Sequence, residues 1–291
     1  MLVQCFVIVT FVPLILTNPI GCSYDASTVL YTCNARSWTL PLVFSSFTVQ
    51  PQRILLKDVA GELPATAPNG PTFSGFSAIN TATFDSRFSP SFHIMCYAKS
   101  FLILFKDTFQ DFGWIEEVII QDCDILSLPA QSFSHFGEVN SFIIQGGSIS
   151  NMIPDSFTGL DVKKMTTALS PKGEFIIRNS EIVAGQLSFG ALYSITNVAT
   201  VVLDNNHITT LSSDMFNTLP KLSNLSISYN GITSLPSALL AKTYSLGYLS
   251  IWGVSWTCSC SDLWFIPYVK NNNITLSGDI ICSSPAAYAS K

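Results

Sequence analysis

Residues 198–221 read VATVVLDNNHITTLSSDMFNTLPK, and the segment that follows directly, 222–245, reads LSNLSISYNGITSLPSALLAKTYS. The two segments have equal length and place aliphatic residues and one asparagine at matching positions. A pattern that returns at a fixed period of roughly 20–50 residues predicts a repeat architecture, because one repeat can bury its apolar face only against its neighbours. The chain is therefore expected to present an extended surface rather than a catalytic pocket.

The same pattern continues toward the N terminus in a less regular form. An insert at residues 161–173 interrupts it, and an insert of this kind belongs in a loop at one rim of a repeat fold. Each inward aliphatic or aromatic residue contributes roughly 1.5–3 kcal/mol when fully buried. The inward positions, repeat by repeat, are predicted to be Ile94, Cys96, Phe101, Leu104, Phe109 and Phe112; Val118, Ile120, Ile125, Leu128, Phe133 and Phe136; Val139, Phe142, Ile144, Ile149, Met152 and Phe157; and Phe175, Ile177, Ser180, Ile182, Phe189 and Leu192.

The template LxxLxLxxNxLxxLxxxxFxxL resembles the leucine-rich-repeat family. The resemblance implies an α/β-type solenoid, mostly β and irregular, that forms a right-handed horseshoe with a parallel concave sheet and capped ends. At the N position of the template an Asn or Cys side chain faces backbone groups that would otherwise lack partners. Only Asn206 and Asn230 carry the usual Asn among seven such positions, so the first half should be less regular; the other five are Lys99, Cys123, Gly147, Ser180 and Val254.

Composition narrows the class of partner. Only 11% of the 291 residues are charged, against about a quarter in an average soluble domain. The net charge of −5 provides no basic stripe, so nucleic acid is not expected as a partner. The sequence predicts neither a cofactor nor a metal site, and it leaves the oligomeric state open.

The chain divides into four predicted parts. Residues 1–21 are interpreted as a signal peptide, because the first 16 residues carry no charge and residues 6–16 are mostly apolar. Residues 22–52 should form an N-terminal cap, residues 53–248 the repeats, and residues 249–291 a cysteine-rich C-terminal cap. No later segment offers the roughly 20 apolar residues of a transmembrane helix, so the mature chain is expected to be secreted.

Cysteines at both ends indicate the caps. Cys22 and Cys33 are predicted to close a small N-terminal disulfide loop. The end of the chain resembles the C-terminal flanking domain of extracellular leucine-rich-repeat proteins, whose motif is LxLxxNPWxCxCxLxxL. Four residues match that motif, although Val254 and Ser255 replace its Asn and Pro; the matching residues are Trp256, Cys258, Cys260 and Leu263.

The pairing of that flanking domain implies a disulfide between Cys258 and Cys282. It leaves Cys260 without a partner inside the cap. Three interpretations remain: the cap is incomplete, the cap is degenerate, or Cys260 pairs with a cysteine elsewhere. Cys96 and Cys123 occupy inward positions that the repeat alignment sets three residues apart, or about 10 Å at roughly 3.3 Å per residue. That distance exceeds what a disulfide tolerates, so buried free thiols are favoured over a strained bridge.

The sequence offers little to support catalysis. It contains no glycine-rich phosphate loop, no HExxH, no GxSxG and no pair of carboxylates at a meaningful spacing. Of the three histidines, His135 and His207 are expected on the outer side or in a turn, and only His93 on the concave face. The chain is therefore predicted not to be an enzyme.

The concave face is the predicted binding site. Side chains alternate between core and surface along a strand, and the alternation places a column of five apolar residues on the surface, flanked by polar residues. An exposed apolar patch with polar flanks usually marks an interaction site, although β-branched residues are also favoured in strands for their own sake and an insert could cover the column. The predicted partner-binding residues are Met95, Tyr97, Ile119, Gln121, Ile143, Gln145, Ile176, Arg178, Val202, Asp204 and Trp252.

Two N-glycosylation sequons begin at Asn224 and Asn273. Asn273 lies in a polar run of the C-terminal cap. Asn224 lies on the predicted concave face, where a glycan would close the C-terminal third and leave the apolar column open.

Three functions agree with these patterns. The first is a secreted or cell-surface recognition protein that binds a protein or peptide through its concave face. The second is a non-catalytic subunit of a secreted enzyme. The third is a structural or adhesion component, or a fragment of a receptor ectodomain. The sequence does not identify the ligand.

Overall fold

The computed structural model describes residues 18–36, 42–63, 72–166, 168–183, 187 and 190–284. Most of the predicted signal peptide lies outside these residues, as do Cys5, Phe189 and the end of the predicted C-terminal cap, 285–291. In chain order the strands are β1 (Cys22–Asp25), β2 (Leu30–Asn34), β3 (Leu42–Val43), β4 (Arg53–Val59), β5 (Gly61–Leu63), β6 (Phe73–Ser74), β7 (Ser91–Cys96), β8 (Phe101–Leu104), β9 (Glu117–Gln121), β10 (Asp124–Ser127), β11 (Glu138–Val139), β12 (Ser141–Gln145), β13 (Ser148–Ile149), β14 (Asp161–Val162), β15 (Glu174–Arg178), β16 (Glu181–Ile182), β17 (Thr200–Val202), β18 (Asn224–Ser226), β19 (Tyr248–Ser250), β20 (Ser255–Thr257), β21 (Thr275–Ser277) and β22 (Ile281–Ser284).

The strands build one long sheet and several short ones. The main sheet has 11 strands in the order β1-β2-β4-β7-β9-β12-β15-β17-β18-β19-β21. All its neighbouring pairs are parallel except β1 with β2. A second sheet joins five shorter strands in the order β16-β13-β10-β8-β5. The predicted solenoid with a parallel sheet is confirmed. Helices within the described ranges are short: α1 (Phe265–Asn271) and four 3₁₀ turns at Phe44–Ser46, Phe76–Ala78, Thr81–Thr83 and Ser134–Phe136.

The core lies between the two sheets, and phenylalanine supplies most of its largest fully buried side chains. Phe109, Phe133 and Phe157 occupy the same position of three successive repeats and are fully buried. Their rings stack nearly parallel, with centroids 6.0 and 5.6 Å apart. Stacked rings add about 0.5–1.5 kcal/mol to the gain from burial, so the aromatic position of the repeat is a major source of stability.

Asparagine stabilises the regular half of the solenoid as predicted. Asn230 is 8% exposed, and its amide bridges backbone groups of its own turn and of the preceding turn. Asn206 repeats the pattern by donating to the carbonyl of Ile177 and accepting from the amide of Ser180. In the irregular half Gly147 holds the equivalent position with φ +65°, where an added Cβ would lie 2.0 Å from the carbonyl oxygen of Cys123. That turn therefore needs glycine.

The predicted register of β7 is wrong. The alignment matched Ile94 with Val118, whereas the structure pairs Phe92 with Val118 and Ile94 with Ile120. The turn after β7 contains consecutive left-handed residues, Ala98 and Lys99, with φ +46° and +57°. The predicted register assumed that every turn has the same length, and this irregular turn is longer.

The register explains a second correction. Free thiols were favoured over a strained bridge for Cys96 and Cys123, but the two residues form a disulfide with a Cα–Cα distance of 5.0 Å. Because Met95 lies opposite Gln121, the register offset between Cys96 and Cys123 is one residue rather than three. A Cα distance of that size is within the usual range for a disulfide.

A third correction concerns the inward position that follows the same turn. Phe101 was predicted to be buried there, but it is 52% exposed, and Leu102 is buried instead. Leu102 pairs in register with Ile125, the inward residue of the next repeat. The longer turn therefore also displaces β8 from its predicted register.

The predicted cap disulfides are confirmed. Cys22 pairs with Cys33 and Cys258 with Cys282, while Cys260 is exposed and has no partner among the described cysteines. Parallel pairing of β20 with β22 orders the end of the solenoid. Trp256, from the flanking motif, is fully buried against Phe265 of α1, with ring centroids 4.7 Å apart.

Every turn from β9 to β19 reverses through a left-handed residue at one position. Asparagine, aspartate and glycine tolerate this conformation, whereas it strains a bulky side chain. Tyr229 is the exception, with φ +55° and a ring that is 59% exposed and packs over Gly253. The residues at this position are Asp122, Gly146, Asn179, Asn205, Tyr229 and Gly253.

We expect Tyr229→Asn to raise the free energy of unfolding by about 0.5–1 kcal/mol, because asparagine adopts the left-handed conformation at lower cost. Denaturation in urea measures the change. Tyr244→Asn is the control, since Tyr244 is 82% exposed and lies outside the left-handed positions. Equal effects of the two substitutions would contradict the strain at Tyr229.

Candidate functional site

The exposed face of the main sheet, here called the concave face, carries one central column of side chains. Strand register places His93, Ile119, Ile143, Ile176 and Val202 side by side on neighbouring strands. The column continues toward the C terminus with hydroxyl groups at Ser226, Ser250 and Ser277. We call Ile119, Ile143, Ile176 and Val202 the apolar stripe.

Two predicted members of the column need correction. Met95 lies beside Gln121 in the adjacent column, and His93 takes the central place, because the register of β7 is shifted by two residues. Ile176 lies on the concave face as predicted, but it is only 8% exposed. Ile143 and Val202 flank it in register on both sides, so little of its surface remains for a partner.

The stripe has a hydrogen-bonded polar border on one side. Arg178 donates from Nε and Nη2 to Oε1 of Gln145 at 3.2 and 2.8 Å. Gln145 Nε2 donates to Gln121 Oε1 at 3.2 Å, and Gln121 Nε2 donates to Asp122 Oδ2 at 3.1 Å. We call Gln121, Gln145 and Arg178 the amide ladder. The structure brings these three predicted residues together, and their mutual bonds fix their orientations.

The opposite border is acidic with one lysine. Ser141 Oγ donates to Glu174 Oε1 at 2.9 Å. Lys172 Nζ, from the insert, lies 3.4 Å from Glu117 Oε1 and 3.5 Å from Glu174 Oε1. Burial acts against the charged form of Lys172, yet the two glutamates together raise its pKa above the ordinary value. The insert therefore contributes a charge to the edge of the concave face, which the sequence did not indicate.

His93 extends the central column as a neutral group. Burial lowers the pKa of its imidazole below the ordinary value, although the Gln121 side chain and the Asp122 carboxylate act in the opposite direction. Its Nε2 is buried and has no hydrogen-bond partner among the described residues. Near neutral pH the column from His93 to Val202 therefore carries no net charge.

Other predicted binding residues are engaged within the chain. Asp204 Oδ1 accepts from Ser226 Oγ at 2.6 Å and from the amide of Ser228 at 2.8 Å. The Trp252 ring is 44% exposed, and its Nε1 donates to Ser277 Oγ at 3.0 Å. Tyr97 lies beyond the end of β7, and the guanidinium carbon of Arg36 lies 3.5 Å from the centre of its ring. These residues border the C-terminal and N-terminal parts of the face rather than the stripe.

A cleft of about 600 Å³ at the rim was not predicted. It lies between the segment before β7 and the insert, and the walls are mostly aromatic and apolar. Burial raises the pKa of the Glu116 carboxyl in this cleft, and the adjacent Glu117 adds to the effect. No metal-binding group of three or more His, Cys, Asp or Glu occurs within the described ranges. Residues that line the cleft include Phe84, Phe88, Trp114, Glu116, Met165 and Leu169.

Comparisons with known proteins agree with this architecture. A family model described as leucine rich repeat matches residues 196–252. No curated protein matches the sequence significantly. Among solved structures, the chain is similar to the crystal structure of human 5T4 (Wnt-activated inhibitory factor 1, trophoblast glycoprotein), with a TM-score of 0.51 and 15% identity over 94% of both chains. At that level of identity the similarity concerns the fold alone.

Proposed function

Because this chain is a leucine-rich-repeat protein, we propose that it is a non-enzymatic recognition protein, secreted or held at the cell surface, which binds a protein or peptide on its concave face. The observation that supports this function is the apolar stripe. Ile119 and Ile143 lie in register on adjacent strands, and both side chains are partly exposed. An apolar patch with polar borders is typical of an interface, whose core is apolar and whose rim is polar.

The amide ladder supports the same function. Its three side chains are already held by hydrogen bonds, so a partner would not have to order them, which reduces the cost of binding. Each glutamine keeps further donor or acceptor capacity beyond the bonds of the ladder. A partner segment that crosses Ile119 and Ile143 therefore meets an apolar surface beneath it and amide groups beside it.

The disulfides support the proposed secreted or cell-surface location. Three disulfides join cysteines within the described residues. Disulfides persist in oxidising surroundings such as the extracellular space and are rare in the cytosol. Among the described residues, no helix has the length and apolar character that crossing a membrane requires.

We expect Ile119→Asp combined with Ile143→Asp to reduce partner affinity by roughly 100-fold, because two carboxylates would lose water at the centre of the interface. The purified chain serves as bait for proteins secreted by the source tissue. The affinity of a retained protein is then measured by surface plasmon resonance with both forms of the chain.

The control carries the same charge change on another side of the molecule. Leu126 and Val183 are aliphatic and 45% and 57% exposed, and both lie by the second sheet. Leu126→Asp combined with Val183→Asp should leave affinity unchanged. If the control weakens binding as much as the stripe variant, or if the stripe variant binds normally, the concave face is not the site. Circular dichroism confirms that both variants fold.

A further inference from the structure

A shallow depression on the concave face lies at the C-terminal end of the apolar stripe and includes the last residue of the stripe, Val202. Its volume is about 380 Å³, and its walls come from three neighbouring strands, β17, β18 and β19. None of the lining residues is charged, and the surface that they expose to the depression is almost entirely apolar, so the depression suits an uncharged ligand that has an apolar face. The lining residues are Thr200, Val201, Val202, Asn224, Leu225, Ser226 and Tyr248.

One wall of the depression is itself a glycosylation sequon. Asn224, Leu225 and Ser226 read Asn-x-Ser, and Asn224 is exposed on the concave face. Asn224 pairs in register with Thr200 on one side and Tyr248 on the other. Neighbouring strands lie about 4.8 Å apart, so a sugar on Asn224 Nδ2 would begin one strand away from the Tyr248 ring. That ring is 37% exposed.

We propose that Asn224 carries an N-linked glycan whose first N-acetylglucosamine occupies this depression and packs against Tyr248. The tether makes this sugar the occupant, because attachment at Asn224 leaves it beside the depression at all times. Its apolar ring face and its acetamido methyl group match the uncharged, mostly apolar surface of the depression and the aromatic ring of Tyr248, while its hydroxyl groups remain in solvent. Without the sugar, Asn224 Nδ2 donates to Thr200 Oγ1 at 3.3 Å. After the sugar is attached, Nδ2 would keep one proton for that bond.

Attachment precedes folding of this part of the chain. In the folded protein Ser226 Oγ donates to Asp204, and β18 is paired on both sides, so the sequon is not free to enter an enzyme. The donor is a lipid-linked oligosaccharide diphosphate. The bond from C1 of N-acetylglucosamine to the phosphate oxygen breaks, a bond from C1 to Nδ2 forms, Nδ2 loses one proton, and the lipid diphosphate leaves.

Asn273 provides an internal comparison. It begins the second sequon, is exposed just after α1 and lies outside the depression, so its glycan should extend into solvent. The chain is produced by a eukaryotic secretion host, and peptide mapping gives the occupancy of both sites. Under native conditions, an amidase specific for N-linked glycans should release the Asn224 glycan at least tenfold more slowly than the Asn273 glycan. In denaturant the two rates should be equal.

Tyr248→Ala tests the contact itself. It should accelerate release from Asn224 and leave the rate at Asn273 unchanged, whereas Tyr244→Ala, a change of a more exposed tyrosine, should alter neither rate. Unmodified Asn224 beside modified Asn273 would overturn the proposal, and so would a release rate at Asn224 that Tyr248→Ala does not change. Neither result bears on binding at Ile119 and Ile143, so the two proposals fail independently.

Discussion

Asn230→Ala is expected to lower the free energy of unfolding by about 3–5 kcal/mol, because it leaves several buried backbone groups without partners at about 1–3 kcal/mol each. Asn230 Oδ1 accepts from the amides of Asn206 and Ile208, each at 3.0 Å. Its Nδ2 donates to the carbonyls of Leu203 at 2.7 Å and Ile227 at 3.0 Å. Urea denaturation of the purified protein measures the loss.

Asn197→Ala is the control for this substitution. The Asn197 side chain donates one hydrogen bond to Asp161 and accepts one from Lys221. Both partners are side chains rather than backbone groups, and water can replace them. We expect a loss of less than about 1 kcal/mol there. A similarly small loss at Asn230 would mean that water satisfies the backbone groups in its place, and the asparagine would not hold adjacent turns together.

Removal of the Cys96–Cys123 disulfide should have an effect of similar size. The bridge spans 27 positions, and the chain-entropy estimate for a loop of that length is roughly 3.5 kcal/mol, a model-dependent figure. The double variant Cys96→Ser with Cys123→Ser should therefore unfold at a clearly lower denaturant concentration. Cys260→Ser is the control, since Cys260 is exposed and unpaired among the described cysteines, and we expect no measurable change.

Peptide mapping without reduction tests the same bridge directly. We expect Cys96 to be recovered with Cys123, and an alkylating reagent to label Cys260 in the native protein. Labelling of both Cys96 and Cys123 after denaturation without reductant would instead establish them as free thiols. In that case the serine variants should cost little stability.

The two proposals divide the concave face between them. The apolar stripe at Ile119 and Ile143 is left for a partner, while a glycan at Asn224 would cover the hydroxyl-rich part that follows Val202. Such a division would confine a partner to the centre and the N-terminal part of the sheet. Loss of the glycan through Asn224→Gln would then extend the accessible surface without altering the stripe.

The sequence by itself determined the repeat and most of its inward positions. The constant spacing places Phe109, Phe133 and Phe157 in one buried stack, and it places Asn206 and Asn230 against the backbone. These features are predictable because a solenoid repeats the same local environment in each turn, so a residue's position in the period fixes its surroundings. The cap pair Cys258–Cys282 followed in the same way from a family motif at fixed offsets.

The tertiary structure decided whatever depends on the contacts between turns of unequal length. Two additional residues between β7 and β9 moved Met95 out of the central column and brought Cys96 within bonding distance of Cys123. The burial of Ile176 and the bond of Lys172 to the acidic border depend on side chains brought in by neighbouring strands and by the insert. A periodic pattern carries no information about loop length or about which side chains cover one another. Those properties arise only when the turns are stacked.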